Sequence, residues 1–180
     1  MALFVSGVNT IFSYLNRHGA YTTARTYLEQ ALAVVVDDGA RAELQRNLGE
    51  TAAKMGDYET AETCIREALT LARAKSRKSL ACDLLLLAGN LAINQGQYDV
   101  AASTLGEGVA LARQLSDAQK ESRFLQGLGM VAAKRSAYAD AETHYHQAMT
   151  LARAAANQEQ IADLLRNLGT LVPRQPKNEG

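Results

Sequence analysis

The stretch that decides the fold is residues 47–73, NLGETAAKMGDYETAETCIREALTLAR. Nearly the same text returns twice: AGNLAINQGQYDVAASTLGEGVALAR ends at Arg113, and GLGMVAAKRSAYADAETHYHQAMTLAR ends at Arg153. A diverged earlier copy, FSYLNRHGAYTTARTYLEQALAVV, covers residues 12–35. Tyr21, Tyr58, Tyr98 and Tyr138 mark the frame, in steps of 37, 40 and 40 residues. A fixed period in this range means one supersecondary unit repeated along the chain.

Within a unit, Tyr58, Ala61, Ile65, Ala68, Leu69 and Ala72 recur at steps of three and four, one inward stripe of a helix. Leu44, Leu48, Ala52 and Met55 have the same spacing, and Gly56-Asp57 between the halves is a helix stop followed by a side-chain cap. The unit is therefore helix, tight turn, helix. Small residues recur where the two must approach: Gly49, Gly89, Gly129 and Gly169 on the first helix, Ala61, Ala101 and Ala141 on the second. Glycine inside a helix costs about 1 kcal/mol relative to alanine, so its return at matched places asks for a packing reason. Each pair still leaves an apolar flank that only the next pair covers, so the units stack.

These residues resemble the tetratricopeptide repeat, whose pattern pairs Leu-Gly on the first helix with Gly-x-Tyr at the turn, then alanine, a large apolar residue four on and a second alanine three beyond. Leu48-Gly49, Gly56-Asp57-Tyr58, Ala61, Ile65 and Ala68 match in order; Ala141, Tyr145 and Ala148 match in the last full copy, Ala24, Leu28 and Ala31 in the first. The chain departs from the pattern in lacking a tryptophan on the first helices, in Ser136 at a turn glycine, in Gly108 at a second alanine, and in having no proline after the second helices. The resemblance covers almost the whole chain and implies an all-α, right-handed superhelical solenoid of four helix pairs and a terminal helix. The period of 40 rather than 34 is similar to the longer variety in kinesin light chains, spindle-orientation adaptors, bacterial NTPase-linked regulators and peptide-pheromone receptors, with the extra length expected between units.

The chain has 180 residues, 47% of them hydrophobic, and one array at 1–172 accounts for it. Pairs are expected at 3–36, 40–74, 79–114 and 117–155, with a last helix at 158–171 and a disordered tail at 173–180 after Pro173 and Pro176. Asp38 is a cap for the helix after it, and Ser116-x-x-Gln119 and Asn157-x-x-Gln160 have capping-box character. The last helix either closes the array, with Asp163 and Arg166 on its wet side, or marks an array cut from a longer one, to which the uncapped start at Met1 leans. The opening MALFVSGVNTIFSYL lacks the positive start and cleavage pattern of a signal peptide and reads as the first helix, with Phe12 and Leu15 inward.

Nineteen basic and nineteen acidic residues cancel, which removes a general attraction to nucleic acid or anionic membrane. Arg73, Lys75, Arg77 and Lys78 read as cations of a helix end and a solvated loop. Cys64 and Cys82 lie in different units without metal-ligand spacing, which points to a reduced, cytoplasmic setting. No nucleophile, base and oxyanion-donor set is visible, so no enzyme, cofactor or metal is expected. His144 and His146, two apart on a helix, point in different directions. Residues 127–132 fit the loose dinucleotide pattern G-x-G-x-x-A, but without the strand that motif needs.

The function expected is a scaffold or adaptor that binds a protein or peptide segment, alone or as the sensor part of a larger bacterial signalling protein; the alternative is a self-assembling module joined through its ends or flanks. The resemblance places the binding surface on the concave face, at positions three before, one after and five after the repeat glycine. These are Arg46, Glu50 and Lys54; Leu86, Asn90 and Asn94; Gln126, Met130 and Lys134; Arg166 and Thr170; and, in the diverged unit, Asn9, Ser13 and Arg17. Asn offers donors and acceptors to a peptide backbone, Met130 adapts to apolar side chains, and Arg or Lys pairs with carboxylates. Family members that grip a chaperone's C-terminal carboxylate use Lys, Asn and Arg on successive first helices. Glu50, Leu86 and Leu87 interrupt that set, so no such clamp is expected.

Overall fold

The structure is a computed structural model that describes residues 2–171, with side chains from residue 6 onward. The expected tail at 173–180 lies outside the described residues. The described chain is all helix and turn: α1 Ala2–Arg17, α2 Tyr21–Val34, α3 Asp38–Lys54, α4 Tyr58–Ala74, α5 Lys78–Asn94, α6 Tyr98–Gln114, α7 Ala118–Lys134, α8 Tyr138–Ala154 and α9 Gln158–Leu171. It divides into two compact units, Met1–Leu91 and Ala92–Gly180.

The three-residue turns are too short for anything but reversal, and α1 with α2, α2 with α3 and α3 with α4 pack side by side in the first unit, as α6 with α7, α7 with α8 and α8 with α9 do in the second. In the first unit Phe12, Ala24, Leu28, Ala31, Val35, Leu44, Leu48 and Cys64 share one core, with Leu15 partly buried against it. In the second, Leu105, Phe124, Tyr145, Ala148 and Leu164 are buried. Tyr58 and Met55 are more exposed than the inward stripes required, because both sit at the turn, where the helix ends leave the core.

The turns are built alike. At Gly56, Ser76, Gly96, Ser116, Ser136 and Ala156 the backbone is left-handed, and the next residue's N–H reaches back to the carbonyl of Ala52, Ala72, Ala92, Ala112, Ala132 or Ala152. This is the Schellman closure, which satisfies the orphan carbonyls of a helix end. The extra length of the repeat is therefore not lodged between units. Junctions within and between pairs are equally short, and the helices from α3 to α8 are 17 residues each.

Caps follow the turns with a shift from the expected residues. Asp37, not Asp38, caps α3 by accepting from the Ala40 N–H at 2.8 Å. Asp117, not Ser116, caps α7 by accepting from Lys120, because Ser116 is occupied in the left-handed turn. Asn157 accepts from the Gln160 N–H at 3.1 Å as expected, but the Gln160 side chain turns inward and does not complete a box. Asp57 caps α4; its hydrogen bonds from Thr60, and then Arg25, hold its carboxyl below the ordinary range.

Candidate functional site

The first helices of the first unit carry a ladder of polar contacts that joins α1, α3 and the start of α5. Asn47, fully buried on α3, donates from Nδ2 to Asn9 Oδ1 at 2.8 Å, and Asn9 donates to Glu43 Oε2 at 3.3 Å. Glu43 in turn accepts from Arg77 Nη2 at 2.5 Å, while Arg77 Nη1 donates to the Gly39 carbonyl at 2.9 Å. Arg77 is therefore not a cation of a solvated loop, since it ties the α4–α5 turn to the start of α3. One turn along, Glu50 accepts from Asn16 at 3.0 Å and from Lys54 at 2.9 Å, and Lys54 also donates to Asn16 at 2.8 Å.

Arg46 extends past this ladder, 3.9 Å from Glu50. It lines an open cleft of about 450 Å³ with Glu43, Arg77, Lys78, Ser79, Leu80 and Asp83. Leu80 is buried and forms the floor, and charged side chains form the rim. Three cations and two carboxylates give that rim a small positive excess, suited to an acidic group on an otherwise mixed ligand.

The structure thus brings Asn9, Arg46, Glu50 and Lys54 together, but it commits Asn9, Glu50 and Lys54 to contacts within the chain. Ser13 bonds back to the Asn9 carbonyl at 2.9 Å, as a hydroxyl inside a helix does. Asn90 and Asn94 are exposed on α5. On α7, Gln126 and Met130 are half-buried and Lys134 exposed, at successive helical turns. Arg166 is exposed on α9 and pairs with Asp163 at 2.9 Å. Sequence reasoning missed Asn16, Glu43, Asn47 and Asp83. The signal for Asn47 was its place two residues before the repeat glycine, where the other copies carry Leu87, Gly127 and Asn167.

The residues considered for chemistry have structural surroundings. Gly127 and Gly129 lie inside α7 beneath Leu105 and Tyr145, which accounts for the chance dinucleotide pattern. Cys64 and Cys82 are buried and form no disulfide; burial, then Glu67, pushes the Cys64 thiol up. His146 is exposed, 3.6 Å from Glu142, and His144 is half-buried. Among the described residues no group of three or more His, Cys, Asp or Glu is placed to hold a metal. Among them also, no helix is long and apolar enough to cross a membrane.

Paired helices with a polar first-helix surface define a helical-repeat fold. Residues 13–74 match the sequence model of the Tetratricopeptide repeat. No curated protein matches the chain in sequence. Solved structures share the fold. The apo form of RapI superposes with a TM-score of 0.76 at 14% identity, over 89% of this chain and 45% of that one. A Rap protein complexed with Competence and Sporulation Factor gives 0.79 at 16%, over 89% and 46%. The RS-1 MamA double mutant gives 0.61 at 18%, over 93% of both chains. The chain thus spans less than half the length of the Rap structures.

Proposed function

We propose that this chain is a non-enzymatic binding module that holds an extended segment of a protein partner on its first helices. In the first unit the segment sits in the cleft between Arg46 and the start of α5. The observation that carries this reading is the cleft itself: an apolar floor at Leu80 inside a rim of opposed charges, on the helices that the ladder of Asn9, Asn47, Glu43 and Arg77 holds in place. Helical-repeat folds of this class are commonly interaction scaffolds, and one similar structure was solved with a bound factor. Arg46 and Lys78 supply the cationic contacts, and Asp83 and Ser79 the polar ones. Asn90, Asn94, Gln126, Met130, Lys134 and Arg166 serve in the same way along their own helices. A cytoplasmic sensor segment of a larger bacterial signalling protein is the setting that fits this role.

A library of random extended peptides displayed on phage and selected against the full chain tests the reading. Selection enriches peptides with an Asp or Glu beside an apolar residue, and Arg46→Glu weakens their binding by about tenfold or more, since it turns an attraction into a like-charge contact. Failure to enrich any peptide, or binding that Arg46→Glu leaves unchanged, refutes it.

A further inference from the structure

The start of α5 reverses the charge of its counterparts. Asp37-Asp38 opens α3, and at steps of 40 the same places hold Arg77-Lys78 at α5, Asp117-Ala118 at α7 and Asn157-Gln158 at α9. Acids suit a helix N-terminus and cations do not, since the macrodipole leaves positive partial charge there. Two adjacent cations at this place therefore do not help α5 to form, and what each one touches decides its role.

Arg77 is matched, because it pairs with Glu43 at 2.5 Å and donates to the Gly39 carbonyl. Lys75, in the same turn, pairs with Asp38 at 3.1 Å. Lys78 is exposed and pairs with no carboxylate among the described residues. Asp83, five residues on, falls outside the spacing of three or four that brings helix side chains together. Across the cleft Arg46 is only loosely held, 3.9 Å from a Glu50 that already accepts from Asn16 and Lys54. Two cations from two helices, Arg46 on α3 and Lys78 on α5, thus line one cleft of about 450 Å³ with no close partner of their own.

Charge pairing sets what they take. A carboxylate carries one negative charge and two oxygens, which a single guanidinium satisfies. A phosphoryl group on a side chain carries about −1.5 to −2 and three oxygens, which matches both cations at once. We propose that the acidic group bound here is a phosphorylated serine or threonine of the partner segment, held by Arg46 and Lys78, with an apolar neighbour of the phosphorylated residue on Leu80. The proposal rests on the cleft reading above and names the partner's chemistry. The apolar floor decides between sources of phosphate: a free phosphate ion brings no apolar side chain to meet Leu80, whereas a phosphorylated segment does.

The test uses the full chain and three labelled pools of peptides with random flanks that differ only at their centre: phosphoserine-leucine, glutamate-leucine and serine-leucine. Fluorescence anisotropy should give the phosphoserine pool an affinity about tenfold or more above the glutamate pool, with no saturable binding of the serine pool. Lys78→Gln should bring the phosphoserine pool down to the level of the glutamate pool and change the glutamate pool by less than about threefold, because Arg46 alone suffices for a carboxylate. Lys78 is exposed, and a damaged fold would weaken both pools alike, so the difference between the pools reads the site. Equal affinity of the two acidic pools, both weakened by Arg46→Glu, overturns this proposal and leaves the cleft reading intact. Binding of neither acidic pool overturns both. A phosphoserine preference that Lys78→Gln leaves unchanged overturns it too. So does inorganic phosphate that competes at the same concentration as the phosphoserine pool, which would give the site to the free ion.

Discussion

At the scale of single residues, two glycines of α6 behave oppositely. Gly108 stands where the other second helices have Ala31, Ala68 and Ala148, and a Cβ there would lie 2.1 Å from the Phe124 ring. Phe124 itself stands where the other first helices have Leu44, Leu84 and Leu164. The aromatic ring takes the volume that the alanine gave up, a volume-conserving exchange across two helices. Gly108→Ala should therefore destabilise the chain by up to about 2 kcal/mol, an overpacking cost of about 1–3 less the ~1 that helix propensity returns. Gly106 is exposed in the same helix with nothing within 4 Å, so Gly106→Ala should stabilise by about 0.5–1 kcal/mol. Urea midpoints of the two variants check the opposite signs. Adding Phe124→Leu to Gly108→Ala should recover much of the loss, and additive losses would show that the two sites are not coupled.

At the scale of elements, the structure has a period of 20 beneath the period of 40. The left-handed residues from Gly56 to Ala156 and the accepting alanines from Ala52 to Ala152 recur at every twentieth position, at turns within and between pairs alike. The helix pairs were legible in the sequence because apolar spacing and the Gly-Asp turn agree on them. The equal turns were not, because serine and alanine replace glycine at four of them and disguise the signal. The recurrent alanine four residues before each left-handed residue, buried everywhere but at Ala132, was the clue available. A left-handed alanine is strained by about 1–2 kcal/mol, against about 0.5–1 for glycine's extra chain entropy. Ala156→Gly should accordingly stabilise the α8–α9 turn by about 0.5–1 kcal/mol, seen as a higher calorimetric midpoint. A lower midpoint would mean that the turn is not left-handed in solution.

At the scale of the whole molecule, stability in a repeat array is a sum over neighbouring contacts, so helices with fewer neighbours open first. Within the first unit Phe12 is the one buried residue among those described on α1, while eight residues are buried on α3. Within the second, α9 buries Gln160 and Leu164 against five on α8. Amide exchange should thus be faster in α1 than in α3 and α4, and faster in α9 than in α7 and α8. Uniform protection across either unit would contradict the nearest-neighbour picture.

The amino-acid sequence by itself determined the helix pairs, because apolar spacing, turn residues and small residues at matched places are local signals repeated four times over. It also set the first-helix positions at matching places in each unit. Only the tertiary structure decided which of those positions are engaged within the chain. Asn9, Glu50 and Lys54 are engaged by groups 34 to 38 residues away, as Asn9 is by Glu43 and Asn47. Leu165 of α9 is exposed for the complementary reason: whether an apolar stripe is core or surface depends on a helix lying across it, and the stripe's own residues carry no record of that neighbour.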